Sequence, residues 1–126
     1  MYYKVMDEKD HKFLQSVISD TDRLFWQQEV QEDYSHDELG GTSAFPEAVV
    51  RVTSADEVAQ ILRYANQEHI PVTPRGAGTG LVGASVPVEK GILLDMTLMN
   101  HFLELDEENL TLTVEPGVLL MELAEY

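Results

Sequence analysis

Pro74-Arg75-Gly76-Ala77-Gly78-Thr79-Gly80-Leu81-Val82-Gly83 holds four of the chain's eight glycines and follows an apolar extended run, Ile70-Pro71-Val72-Thr73. Glycine removes the Cβ that would block close approach of a ligand, and it permits positive φ, so successive N–H groups can converge on an anion. No Asp or Glu occurs from Ile70 to Val88, although the chain of 126 residues carries 23 acids; the one charge in that window is Arg75. The stretch therefore reads as bare backbone kept for an anionic group, such as a pyrophosphate, to lie against.

The sequence on either side alternates between strand and helix patterns. Ala48-Val49-Val50-Arg51-Val52 is short and β-branched, and Ser54-Ala55-Asp56-Glu57 is a capping box that opens a helix. Val58, Ile61, Leu62 and Ala65 are spaced as one buried helical face. With the strand near Ile70 to Thr73, residues 48 to 73 read as a βαβ unit. Ile92-Leu93-Leu94-Asp95-Met96 is a third strand, and Phe102 to Leu105 with Leu110 to Val114 form a hairpin around Asp106-Glu107-Glu108-Asn109. After the break at Pro116-Gly117, a short helix is expected from Val118 to Tyr126, with Leu119, Leu120 and Leu123 uncovered. Such a helix is marginal alone, so the chain reads as the first part of a larger protein. Residues 7 to 45 are acidic and helical in tendency: Phe13, Leu14, Val17 and Ile18 make one apolar stripe, and Leu24-Phe25-Trp26 a second cluster. Gly40-Gly41 and Phe45-Pro46 mark the boundary between this segment and the rest.

A formal net charge of -15 argues against nucleic acid or anionic lipid as partner of the whole surface. The absence of Cys rules out disulfides, thiolate nucleophiles and Cys-type metal sites, and makes an intracellular, cytoplasmic reading the default. No signal peptide is visible at the N-terminus, and the apolar runs are far too short for a transmembrane segment.

Gly78-Thr79-Gly80-Leu81-Val82-Gly83 is literally G-x-G-x-x-G, but a Rossmann site needs a helix opening within the motif. Pro87 and Gly91 oppose a helix there, and no Gly-Lys-Ser/Thr follows as a P-loop would require. The four histidines, His11, His36, His69 and His101, have neither the spacing nor the carboxylate pattern of a metal site. The acids at 106 to 108 read as a solvated turn rather than a catalytic pair, and no catalytic residue is assigned.

The run from Pro71 to Ser85 resembles the pyrophosphate loop of flavoproteins related to vanillyl-alcohol oxidase and p-cresol methylhydroxylase. Within that superfamily it is most similar to the glycolate oxidase flavin subunit and D-lactate dehydrogenase group. Phe45-Pro46-Glu47-Ala48-Val49-Val50, Gly91-Ile92-Leu93-Leu94-Asp95, Met99-Asn100 and Glu115-Pro116-Gly117 agree, as does a Tyr-x-x-Asp at Tyr34 and Asp37. The resemblance covers residues 34 to 126. It implies an α/β (α+β) fold: residues 1–41 as an N-terminal helical segment, and residues 42–126 as the first part of a PCMH-type FAD-binding domain with a small βαβ-containing sheet and packed helices.

The resemblance further implies that FAD is bound by Pro74, Arg75, Gly76, Ala77, Gly78, Thr79, Gly80, Gly83, Ala84 and Ser85. Backbone N–H groups of Gly76 to Gly80 would hold the pyrophosphate, Thr79 would add a hydroxyl, and Gly83 and Ala84 would shape the far side. Ala84 departs from the pattern, in which a second glycine is common. Arg75 either offsets phosphate charge or faces solvent. The implied activity is a flavin-dependent 2-hydroxy-acid dehydrogenase that passes electrons to a protein or quinone acceptor, with any membrane association through partners. The substrate machinery and any metal ligands would lie outside these residues. Alone, the chain is expected to be inactive, to bind FAD weakly and to self-associate. Two alternatives stay open: an alcohol or sugar oxidase of the same superfamily, and a non-catalytic interaction module with a vestigial loop.

Overall fold

The computed structural model describes residues 3–41, 43–80 and 83–125. Its centre is a four-stranded sheet of order β1-β2-β4-β3, built from β1 (Leu24–Trp26), β2 (Ala48–Arg51), β3 (Val72–Arg75) and β4 (Ile92–Asp95). β2, β4 and β3 run parallel, and β1 adds antiparallel at the β2 edge. The crossover expected over residues 48 to 73 is present, but its two strands are not neighbours, because β4 is inserted between them. β4 is buried along its whole length and β2 along its first three residues, which matches the unbroken apolar run of parallel strands covered on both faces.

Strand periodicity divides the core. Ala48, Val50, Ile92 and Leu94 face the helices α1 (Glu8–Val17) and α2 (Ala55–Glu68), where Leu14, Ile18, Ile61 and Ala65 are buried. Val49 and Leu93 face the opposite way, against Val30, Phe25 and Tyr34. The N-terminal segment thus covers both faces of the sheet and shares its core. It also contains less helix than its composition suggests: one α-helix, β1 and three short 3-10 turns between Thr21 and Ser35. Leu24-Phe25-Trp26 pairs with β2 because its edge offers ladder partners, which no local pattern reveals.

Ser54 caps α2 by accepting from Glu57 N at 3.2 Å, as its spacing predicts. Glu57 does not complete the box: its carboxylate reaches one residue further back to Thr53 N and also takes Arg23 Nη2, both at Oε1, 2.7 and 2.5 Å away. The buried face of α2 is carried by Ile61 and Ala65 with Val58 and Tyr64 against them, whereas Leu62 is exposed. A buried carboxylate, Asp10, joins the two helices by accepting from Tyr64 Oη at 2.6 Å and Lys4 Nζ at 3.0 Å. Burial pushes that carboxyl up, but the hydrogen bonds outweigh it and hold the group below the ordinary Asp value.

The hairpin forms as expected, with β5 (Phe102–Asp106) and β6 (Thr111–Val114) around the Asp106 turn, as a separate two-stranded sheet. Asn109 N and Nδ2 donate to the Asp106 carboxylate at 3.1 and 2.8 Å, which closes the turn. The final helix, α3, is Leu120–Glu125, shorter than the Val118 to Tyr126 reading, whose last residue lies outside the described residues. Neither hairpin nor α3 buries a residue, and Leu103, Leu105, Leu119, Leu120 and Met121 are exposed.

Candidate cofactor cradle

The glycine loop leaves the C-terminal end of β3, where ligands of open α/β sheets bind. No helix begins at Gly80; Gly83 to Val86 form a turn, with Val86 N donating to Gly83 O at 3.1 Å. That excludes the Rossmann arrangement on geometry. Leu81 and Val82, the middle of the literal motif, lie outside the described residues.

The loop is braced from the N-terminal segment. Asp37, 6% exposed, accepts from Gly83 N through Oδ2 and from Leu39 N through Oδ1, each at 2.9 Å. Glu38 N donates to Gly80 O at 3.0 Å. Three residues earlier, Tyr34 Oη donates to Asp95 Oδ2 at 2.5 Å. The Tyr-x-x-Asp spacing thus places one side chain on the end of β4 and the other on the far limb of the loop. Burial and the Asp95 carboxylate push the Tyr34 hydroxyl well above its ordinary value, so it remains a donor.

Arg75 does not face solvent. It is 8% exposed, and its Nη1 and Nη2 donate to the carbonyls of His36 and Asp33, each at 2.7 Å, with the guanidinium 5.8 Å from the Tyr34 ring centre. Its terminal nitrogens are turned inward onto the bracing segment. Paired backbone carbonyls are well suited to a planar, multi-donor cation.

The glycines separate into two kinds. A Cβ on Gly78, whose φ is +76, would lie 2.6 Å from Arg75 Cζ, so the fold itself requires glycine there. Gly76 has nothing within 4 Å of such a Cβ, and Gly80 only Asp37 Oδ2 at 3.9 Å; neither has positive φ. Among the described residues, no packing keeps those two positions bare.

Gly76, Ala77, Gly78, Thr79, Gly80, Ala84 and Ser85 line a pocket of about 230 Å³, with Asp37 at its edge. Among the described residues, no protein group accepts from the N–H groups of Gly76 to Gly80. Five consecutive residues with free donors and two Cβ-free positions fit an anionic pyrophosphate lying across the backbone. Pro74 is the exposed residue before Arg75 in β3 and does not line this pocket. Of the expected binding residues, eight therefore surround one cavity or its rim once Gly83 is counted through Asp37, while Pro74 and Arg75 stand behind it.

A row of charges at the strand ends escaped the sequence reading. Arg51, Asp95 and Arg75 are register partners across β2, β4 and β3, and Asp95 is 3% exposed. The signal available was an acid and two arginines, each closing an apolar strand at the end where parallel sheets bind ligands. Among the described residues no group of His, Asp or Glu is arranged to hold a metal ion.

Residues 46–126 match the family described as FAD binding domain. The chain is 40% identical to the D-lactate dehydrogenase of Anaerostipes hadrus over 98% of its own length and 26% of the relative's. It is 41% identical to glycolate oxidase subunit GlcD of Bacillus subtilis (strain 168), over 71% of this chain and 19% of that one. Among solved structures, p-cresol methylhydroxylase superposes with a TM-score of 0.79 at 22% identity, covering 98% of this chain and 25% of that one. Alkyldihydroxyacetonephosphate synthase gives 0.80 at 22% identity, over 99% of this chain and 25% of that one; these likenesses concern the fold. The chain spans about a quarter or less of the length of these relatives. The strand order, the bare loop at the end of β3 and the match over residues 46–126 lead to one conclusion: this chain belongs to the FAD-binding-domain family, and its cofactor is FAD.

Proposed function

We propose that the chain is the FAD-binding portion of a flavin-dependent 2-hydroxy-acid dehydrogenase, converting D-lactate or glycolate to the 2-oxo acid. The observation that carries the binding role is the bare backbone at Gly76 and Gly80, which no contact among the described residues explains. The substrate class is supported by the names of relatives, a D-lactate dehydrogenase, a glycolate oxidase subunit and a mitochondrial D-2-hydroxyglutarate dehydrogenase of Arabidopsis thaliana, all of 2-hydroxy acids.

In this reading the N–H groups of Gly76 to Gly80 bind the pyrophosphate, Thr79 adds its hydroxyl, and Ala84 and Ser85 close the far wall. Pro74 and Arg75 act from behind, by fixing where the loop starts. FAD, when bound, supplies the two-electron acceptor for the hydride equivalent leaving the substrate's α-carbon. Residues 42–126 then form the first part of the FAD-binding domain, and residues 1–41 supply its brace. The remaining binding groups, the substrate site and the route to a protein or quinone acceptor belong to sequence outside these 126 residues. The chain alone is inactive, binds FAD weakly, and self-associates through the exposed Leu119 and Leu120 at the start of α3 and Leu103 and Leu105 of the hairpin. No described helix is long and apolar enough to cross a membrane; the reading is cytoplasmic, with membrane contact only through partners.

The test is anaerobic addition of D-lactate, glycolate or D-2-hydroxyglutarate to the flavin-loaded intact gene product. Bleaching of the flavin band by at least one of them, and not by simple alcohols or sugars, is expected. Bleaching by an alcohol or sugar alone would transfer the chain to the other oxidase class.

A further inference from the structure

A second pocket, of about 240 Å³, opens on the other side of the loop's first limb, lined by Tyr34, Arg51, Arg75, Gly76, Ala77, Asp95 and others. Gly76 and Ala77 belong to both pockets, so one stretch of bare backbone separates them. The guanidinium of Arg75 is already committed to two carbonyls. Arg51 is not. Its Nε is buried and makes no hydrogen bond, although Asp95 Oδ2 stands 3.4 Å away, and among the described residues its terminal nitrogens have no acceptor. Asp95 is occupied by other donors: Thr97 N and Oγ1 on Oδ1, at 2.9 and 2.6 Å, and Tyr34 Oη on Oδ2.

The Arg51 side chain is one-third exposed and its Nε is ion-paired with Asp95, so its terminal nitrogens stay open both to solvent and to an acceptor entering the pocket. Register fixes Arg51 beside Asp95, and Asp95 beside Arg75, from which the loop departs. Asp33 also lines the pocket, so two arginines face two acids and the site has no net positive field to gather anions at random. Selection must come from directed hydrogen bonds, and a guanidinium fork opposite free backbone N–H groups suits a tetrahedral phosphate oxyanion.

We propose that Arg51 is a phosphate-binding residue, whose guanidinium takes an oxygen of the dinucleotide's pyrophosphate where it crosses Gly76 and Ala77. The inference rests on the FAD reading and gives to Arg51 the direct hydrogen bond that the loop's own arginine, committed to two carbonyls, does not offer.

The experiment is a titration of the 126-residue chain with inorganic pyrophosphate, followed in 15N-resolved NMR spectra that include the arginine Nε–H signals. Shifts of the Gly76 and Ala77 amides together with the Arg51 Nε–H are expected, with affinity falling about tenfold in Arg51→Gln, the size of one charge-assisted hydrogen bond. Arg63→Gln, on the exposed face of α2, should bind as the parent does. Should Arg51→Gln unfold, the Arg51 Nε–H response in the unaltered chain still decides. Loop amides that shift while Arg51 does not, with unchanged affinity in Arg51→Gln, would overturn the inference and leave the cradle standing. No response in either would overturn the Arg51 assignment, whereas the FAD reading falls separately, if the intact gene product is purified folded and without flavin. D-lactate is the counter-probe: a response of Arg51 to its carboxylate but not to pyrophosphate would also overturn the assignment.

Discussion

The glycine loop uses the same residue at alternating positions for different reasons. At the braced positions, Gly78 lies against the Arg75 guanidinium at positive φ, and Gly83 N is held by Asp37. At the open positions, a Cβ on Gly76 or Gly80 would meet no described atom closer than 3.9 Å. A glycine that its own fold requires says little about ligands; a glycine that its fold does not require does. The contrast also explains why a chain of net charge -15 can present an anion site: the loop is acid-free, its donors are backbone N–H groups, and the carboxylate at its edge, Asp37, is held by two N–H groups.

The braced positions should be sensitive to mutation in stability, and the open positions in binding. Arg75→Met is expected to have the largest effect on stability, about 3 kcal/mol in urea unfolding, because two buried carbonyls lose charge-assisted donors. A loss below about 1 kcal/mol would mean that the brace is ornamental. Gly78→Val should cost about 2 kcal/mol, from a β-branched residue at positive φ and the collision with Arg75. In the double variant with Arg75→Met the two losses should add to less than their sum, since the collision partner has gone.

Tyr34→Phe should cost about 1 kcal/mol near neutral pH by removing the hydroxyl that donates to Asp95. It carries a pH signature as well. Burial and Asp95 raise the Tyr34 hydroxyl above its ordinary value of 10.0, so its stabilisation is complete below pH 10 and is lost as pH rises from there through the folded-state value. Tyr34→Phe should therefore flatten the alkaline decline in stability; an unchanged decline would remove Tyr34 from the brace. The smallest effect belongs to the open positions: Gly76→Ala and Gly80→Ala should each stay within about 0.5 kcal/mol of the parent.

The elements legible in the sequence were those written in local patterns: the capped helix after Ser54, the strands at Ala48 and Ile92, the hairpin around Asp106, and the loop itself. What escaped depends on partners far along the chain. β1 is a strand only because β2 offers it an edge, and β4 enters between β2 and β3 through pairing that no spacing encodes. Leu62 has the period of a buried face but falls at its exposed margin, where Tyr64 supplies the packing instead. Arg75 illustrates the same limit at the site. Its charge was visible, but its direction was decided by the carbonyls of Asp33 and His36, more than thirty-five residues earlier. Asp95 and Arg51 each close an apolar strand, and only register makes them neighbours.

The central claim is that the open positions, Gly76 and Gly80, are kept bare for FAD. It is tested most directly by the flavin content of Gly80→Val in the intact gene product, read as the ratio of flavin to protein absorbance after purification, beside a measurement of stability. A Cβ at this position would meet no atom of the described chain closer than 3.9 Å and the backbone φ is not positive, so the variant should fold and yet be purified without flavin. A folded Gly80→Val protein with full flavin content would contradict the claim.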